Sequence, residues 1–259
     1  MSEPPYVLKT DRAGIVTLTL NRGDRFNPLS VAMIAALESE LDAVPRDARV
    51  VVLAANGKGF CAGHDLKEMR AHAGDPAWQR ELFAACSRMM IKLTRLPQPV
   101  IARVHGIATA AGCQLVSMCD LAVAASEAKL ALPGVNVGVF CSTPAVGVVR
   151  SVGRKRTMEM LLTGEPIDAE QALEWGLVNR VVPRDALDGE VERLAATIAS
   201  KSGAVVGLGK RAFYEQVELG LEDAYRVTSE AMSCGMTLDD AGEGIDAFLG
   251  KRPPAWRHR

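Results

Sequence analysis

An α/β body followed by a helical tail is the fold class this sequence predicts, and three observations predict it. Short, almost wholly apolar runs at 49–55, 99–104 (PVIARV) and 120–125 (DLAVAA) read as strands buried on both faces, as in a parallel sheet. Between them, loops of small residues lead into helical periodicity, the β-loop-α alternation that calls for right-handed crossovers. Beyond Pro144 extended segments nearly vanish and helical spacing takes over.

Taken in order, YVLKTDRAGIVTLTLNR places two alternating segments about a DRAG turn and predicts an opening hairpin. Asn27-Pro28 breaks the chain, and Ser30 is placed to cap a helix carrying Ile34, Leu37, Leu41 and Val44 at helical spacing. After strand 49–55, Asp65 starts a short helix and Pro76 a longer one reaching toward Thr94. Strand 99–104 runs into HGIATAAG and a helix from about Gly112. Segments 157–162, 168–175, 187–200, 204–219, 221–232 and 239–249 read as helices, with only 177–182 extended. The expected organisation is a body over 1–195 and a helical region over 196–259, whose apolar faces must bury against the body or a neighbouring subunit.

Composition narrows the function classes. At 259 residues the chain can bury a large core, and a formal net charge of -1 gives no reason to expect nucleic acid or an anionic membrane as partner. The basic runs RKR (154–156) and KRPPAWRHR are short enough to read as solvated surface charge. Six scattered cysteines without a CxxC pair read as reduced, mostly buried thiols, and four histidines without HExxH or a Cys/His cluster give no metal site. No apolar run approaches a membrane span, and MSEPPYVLK has no basic-then-apolar pattern, so a cytoplasmic location is expected.

The chemistry sits in two loops. In GKGFCAGHDLKEM (57–69), Asp65 and Glu68 have the spacing of a capping box, the structural role for both acids. The backbone about Gly63 and His64 leaves a strand and enters a helix, where freed N–H groups point outward and can stabilise an anion or a developing oxyanion. In VHGIATAAGCQLVSMCD the small residues Ala108, Ala110, Ala111 and Gly112 repeat that arrangement. Small residues also permit tight packing, but two such loops, each between a buried strand and a helix, point to a paired N–H site. Neither GxxxxGK[ST] nor GxGxxG is present, so phosphate-loop and dinucleotide fingerprints are lacking.

These stretches, with LNRGDRFNPLS (20–30), LTGEPIDAEQALEWGLVNRVVP (162–183) and EGIDAFLGKRPPAW (243–256), resemble the crotonase (enoyl-CoA hydratase/isomerase) superfamily along essentially the whole chain. The resemblance implies a crotonase-type β-β-α spiral core with a helical C-terminal region that makes trimers, often paired into hexamers. It also implies an acyl-CoA substrate whose thioester carbonyl is polarised by two backbone N–H groups, with no separate cofactor because coenzyme A belongs to the substrate. Carried over by position, the donors are the N–H groups of His64 and Ala111. Ala62, His64, Leu66 and Lys67 fall on adenine and pantetheine contacts, Arg25 lies in the N-terminal loop facing coenzyme A, and Lys251 reaches the coenzyme A of an adjacent subunit. Lys67 reads equally well as a solvated helix charge.

Hydratases of that family activate water with two glutamates. Here the first position is Gln114 and the second is Gly134, and a later acidic position of some members is Ser142. A glutamine orients water without accepting its proton, so efficient hydration is not expected, while isomerisation, thioester hydrolysis or binding alone remain open. The loss of both glutamates is similar to the subgroup that contains the enoyl-CoA hydratase domain-containing 3 proteins. Cys141 has no sequence-adjacent base and reads as a packing thiol. His64 titrates near neutrality and is a candidate acid or base, whereas His105, at a strand end, reads as a hydrogen-bonded structural group.

Overall fold

The computed structural model of the protein describes residues 4–259. The chain opens with β1 (Val7–Arg12) and β2 (Ile15–Leu20), antiparallel with Arg12 opposite Ile15. Ala13 and Gly14 connect them at φ 52° and 76°, the two positive angles of a turn whose twist suits a hairpin. Helix α1 (Val31–Asp42) begins where Ser30 Oγ accepts from Met33 N at 3.1 Å, and it buries Met33, Ile34, Leu37 and Leu41. Strand β3 (Val50–Ala55) is buried at every position. It is followed by α2 (Leu66–Ala71), α3 (Pro76–Arg95) and β4 (Val100–Val104).

The second loop contains the two-residue strand β5 (Ala108–Thr109) and leads into α4 (Ala111–Ser117), then β6 (Leu121–Ala125) and β7 (Lys129–Ala131). Helices α5 (Ser142–Val152) and α6 (Arg154–Thr163), strand β8 (Ile167–Asp168), α7 (Ala169–Glu174) and β9 (Arg180–Val182) complete the body. A main sheet runs β1-β2-β3-β4-β6-β9, parallel from β2 onward, and a smaller one runs β5-β7-β8. This is the crotonase-type spiral core expected above.

The unbroken apolar strands have a direct cause. Val51 and Leu53 face the core shared with α1 and α3, while Val50 and Val52 face Leu187, Val191, Leu194 and Ala195 of α8 (Leu187–Ala199). Both sheet faces are covered, so no polar alternation survives. Residue 196 therefore falls inside α8, a helix that packs on the sheet.

The tail proper is α9 (Gly203–Gln216), α10 (Leu221–Gly235) and α11 (Asp239–Leu249). Neither α9 nor α10 has a fully buried residue. One buried clasp joins α9 to the body: Lys210 Nζ donates to Leu93 O and Gln98 O, both at 2.9 Å, and to Asp120 Oδ2 at 2.6 Å. The C-terminal segment straps α11 back, with Trp256 Nε1 donating to Ser200 O at 2.9 Å and Asp240 accepting from Arg257 N and His258 N. No helix among the described residues is long and apolar enough to cross a membrane.

Two departures from the sequence reading are instructive. Helix α5, which holds Pro144 and Gly147, was not among the expected helices. Pro144 stands in the first turn, where its missing N–H costs nothing, and Gly147 lies against α4, where a Cβ would stand 2.4 Å from Ser117 Oγ. The capping box at 65–68 forms only halfway. Asp65 Oδ1 accepts from Lys67 N and Glu68 N, but Glu68 Oε2 accepts from Val31 N at 2.9 Å and so caps the start of α1 instead.

Candidate functional site

The C-terminal ends of β3 and β4 deliver two loops that are sewn together by main-chain hydrogen bonds. Phe60 N and Cys61 N both donate to Ile107 O, and Thr109 N returns to Cys61 O at 2.9 Å. Thr109 Oγ1 adds a bond to Ala62 O at 3.0 Å. Glycine is required where the loops close. A Cβ on Gly112 would stand 2.1 Å from Cys61 O. Gly63, at φ +85°, lies so near the second loop that a Cβ there would be 2.9 Å from Ala110 Cβ and 3.1 Å from Ala111 N.

Ala110 carries the strain of this junction. It sits at φ 51°, ψ -120°, a region that residues with a Cβ rarely enter, and is held there because its N–H donates to Ala131 O and its carbonyl accepts from Gln114 N. The next residue, Ala111, thus presents its N–H at the first position of α4. Among the described residues neither Ala111 N–H nor His64 N–H has an acceptor. Two free donors therefore stand on touching loops, one on each side of the Gly63–Ala110 contact.

A third segment braces the pair. Asn27, buried and at φ 51°, accepts from Arg22 N through Oδ1 and donates Nδ2 to Asn56 O, Gly59 O and Phe60 O. Phe26 O accepts from Ala62 N, and Leu29 N donates to Gly63 O at 2.8 Å. Sequence reasoning treated Asn27-Pro28 as a chain break only. The signal present was an asparagine, the residue type that tolerates positive φ, just before a proline.

The side chains around the loops are short of acid–base capacity. Gln114, one turn into α4, is buried with Oε1 unpartnered. Gly134 is buried in a tight turn over Pro133–Val137, and a Cβ there would stand 2.4 Å from Val139 O and 2.9 Å from Cys141 Sγ. The position has no room for any side chain. Burial pushes the Cys141 thiol up from its ordinary value, the reverse of an activated nucleophile. Asp65 and Glu68 are both spent on helix starts.

The His64 imidazole turns away from the loop junction. Its Nδ1–H donates to Leu29 O at 3.2 Å, and its ring meets Phe83 edge-on at a centroid distance of 5.4 Å. Burial lowers its pKa against the smaller raising effects of Leu29 O and Glu68, so the ring is neutral with a buried, unpartnered Nε2. His105 behaves as the sequence reading expected, with Nε2 against Gly57 O at 3.0 Å.

Of the flanking positions, Ala62, Leu66 and Lys67 are exposed around the start of α2, and Arg25 is exposed in the 23–25 turn that leads into the Phe26–Ala62 contact. Lys251 lies in the C-terminal segment. It follows α11 at φ 51°, and its N–H donates to Phe248 O.

Comparison with known proteins agrees with this fold. The profile of the family described as Enoyl-CoA hydratase/isomerase matches residues 10–259. The rat and human proteins named enoyl-CoA hydratase domain-containing protein 3, mitochondrial, are 46% and 47% identical over 259 residues; each alignment covers 99% of this chain, with 86% and 85% of the relatives. A crystal structure of an enoyl-CoA hydratase from Mycobacterium smegmatis superimposes with a TM-score of 0.95 at 53% identity, covering 98% of this chain and 99% of that one. The human enoyl-CoA hydratase domain-containing protein 3 structure gives 0.93 at 46%, covering 97% and 100%. One expectation is corrected here: the mitochondrial names of these vertebrate relatives overturn the cytoplasmic location. The chain belongs to the enoyl-CoA hydratase/isomerase family of the crotonase superfamily, and within it resembles the enoyl-CoA hydratase domain-containing 3 proteins over nearly its whole length.

Proposed function

We propose that this protein binds an acyl-CoA thioester and polarises its carbonyl oxygen between the N–H groups of His64 and Ala111. The observation that carries the reading is the pair of acceptor-free N–H groups on two loops locked together by Gly63 and Gly112. Such donors favour the charge that develops on a thioester oxygen, each worth on the order of 10²–10³ in rate. Arg25 and Lys67 flank the entrance as exposed cations suited to coenzyme A phosphates, with Ala62 and Leu66 between them. Lys251 serves the site of a neighbouring copy in a trimer or dimer of trimers, which the exposed apolar side chains of α9–α11 hold together. Coenzyme A arrives with the substrate, and no further cofactor is invoked.

Hydration by the two-glutamate route is not part of this reading. Gln114 orients the acyl group or a water but takes no proton at neutral pH, and losing general acid–base help costs about 10²–10⁴ in rate. Stabilisation of an enolate-like charge by the two N–H groups is retained, while a double-bond isomerisation would need solvent to take and return the proton. The second reading, an acyl-CoA carrier without turnover, is favoured by one feature. Positions 114 and 134 carry no carboxylate to move a proton.

Infrared difference spectra of an acyl-CoA labelled at the thioester carbonyl test the common core of both. The bound carbonyl stretch should fall relative to the free ligand and return toward it in Gly63→Ala, which wedges the two loops apart. Binding with an unshifted carbonyl would sink the proposal. A panel of enoyl-CoA substrates with Gln114→Ala then separates enzyme from carrier.

A further inference from the structure

The opposite pole of the sheet, where β3 and β4 begin, holds a second concavity of about 700 Å3 between the body and the N-terminus of α9. Its rim is built from Arg46 and Arg49 before β3, Arg95 before β4, and Arg211 on α9. No acidic residue lines it, and among the described residues none of these four guanidiniums has a carboxylate within ion-pair distance. Many other arginines, those at 88, 150, 180, 193, 226, 252 and 259 among them, are ion-paired, whereas the four here share one concavity without a counter-charge.

Two further features make it a built site. Arg49 is turned onto the start of α9, where a Cβ on Gly203 would stand 2.7 Å from its Nη1. A cation at a helix N-terminus opposes the helix dipole, and an anion between the two reverses the sign of that interaction. Gln98, only 5% exposed, lines the same concavity with its Nε2 donating to Pro45 O and its Oε1 buried without a partner. An orphaned buried acceptor costs free energy until a donor reaches it. His258 closes the rim, its Nδ1 accepting from Gly203 N at 3.1 Å.

We infer that this concavity binds a small molecule carrying at least two phosphate groups together with a hydroxyl or amino donor. The phosphates lie among the guanidinium forks, whose planar donors match phosphate oxygens, in the positive field of the α9 N-terminus, where Gly203 N and Val205 N are already held by His258 Nδ1 and Ser202 Oγ. The donor satisfies Gln98 Oε1. The site is separated from the thioester loops by the length of β3 and β4, so its occupancy does not depend on the function proposed above.

Calorimetric titration of the full chain tests this using pyrophosphate, ADP and sulfate, in the wild type and in Arg25→Gln/Lys67→Gln, which removes the cations flanking the thioester loops. One pyrophosphate per chain is expected, with affinity falling as salt is raised. ADP should bind more tightly than pyrophosphate, and the advantage should vanish in Gln98→Leu. Replacing Arg49 and Arg211 by glutamine should weaken pyrophosphate by roughly tenfold for each guanidinium lost. The pair Arg46→Gln and Arg95→Gln, both exposed, repeats the test without touching packed side chains. Sulfate binding as well as pyrophosphate, loss of ADP binding in Arg25→Gln/Lys67→Gln, or indifference to all four substitutions would each overturn the inference. So would a change of oligomeric mass in the arginine variants without loss of ligand, which would make the cluster a contact between copies.

Discussion

The body and the tail are built from similar proportions of apolar residues and spend them differently. In the body Val50, Val51, Leu53, Ile101, Val104 and Val123 are each fully removed from solvent, and the loops at their ends are pinned by main-chain bonds. In the tail Phe213, Leu221, Tyr225, Met232, Phe248 and Leu249 all stand exposed, Phe248 at 82%. A segment that buries little of its apolar surface on itself cannot offset its own ordering entropy, so its stability must come from elsewhere. The difference teaches that the body is a self-sufficient frame for the site. The tail is held by the Lys210 clasp, the C-terminal strap and whatever covers its open face.

The severest way to break that division is to remove the clasp. Lys210 has side-chain exposure of 6% against 15% for Asp120, and burial lowers its pKa while Asp120 opposes the shift. Lys210→Ala leaves Asp120 with Val100 N but without its cation, and a buried charge stripped of its partner costs about 3–5 kcal/mol. Chemical denaturation should show that loss, and hydrogen exchange should show α9 and α10 opening before β3 and β4. Uniform loss of protection across both regions would mean that body and tail are one cooperative unit.

A smaller effect is expected inside the frame. Gly112→Ala forces a methyl into Cys61 O, and overpacking of this kind costs about 1–3 kcal/mol. The carbonyl shift of a bound acyl-CoA should diminish in parallel, because the wedge acts at the loop junction. The tail should be indifferent to it, so oligomeric mass stays as in the wild type.

Protonation offers a milder lever on the body alone. His64 and His105 both have pKa values lowered by burial from an ordinary value near 6.5, in each case against a raising carbonyl hydrogen bond. The unfolded chain therefore binds more protons than the native one just below that value. Stability is fully present above about pH 6.5 and is lost as pH falls toward the folded-state values, with ∂ΔG/∂pH positive across that window. Urea midpoints measured between pH 7.5 and 5.5 should fall, and less steeply in His64→Gln.

Much of the frame was legible because its signals are local. Strand β3 could be read from six consecutive apolar residues, Ser30 from its place before a helical stripe, and the two loops from glycines and alanines at strand ends. The missing pieces depend on partners remote in sequence. Glu68 looked like the second half of its own capping box, yet its acceptor is used 37 residues away at Val31. Asn27 reaches three carbonyls some thirty residues on. Lys210 and Asp120 are 90 residues apart, and no periodicity links them. Gly134 shows the same limit from the other side: that no side chain fits there is decided by Val139 O and Cys141, not by the glycine's neighbours in a pattern.

The gentlest test addresses the tail's open face. Phe248 makes so little contact within one chain that Phe248→Asp should change the stability of the isolated chain by no more than about 0.5 kcal/mol, the range of ordinary surface substitutions. If copies of the chain cover that face, as the proposed trimer requires, the same change places a charge in an apolar contact and the assembly loosens. The wild-type thermal midpoint should then rise with protein concentration, because association stabilises only the folded form, while that of Phe248→Asp should not. Light scattering at matched concentration should show the lower mass. A variant that keeps its mass but loses more than about 1 kcal/mol would place Phe248 inside the folded monomer, and the body and tail would no longer differ in the way drawn here.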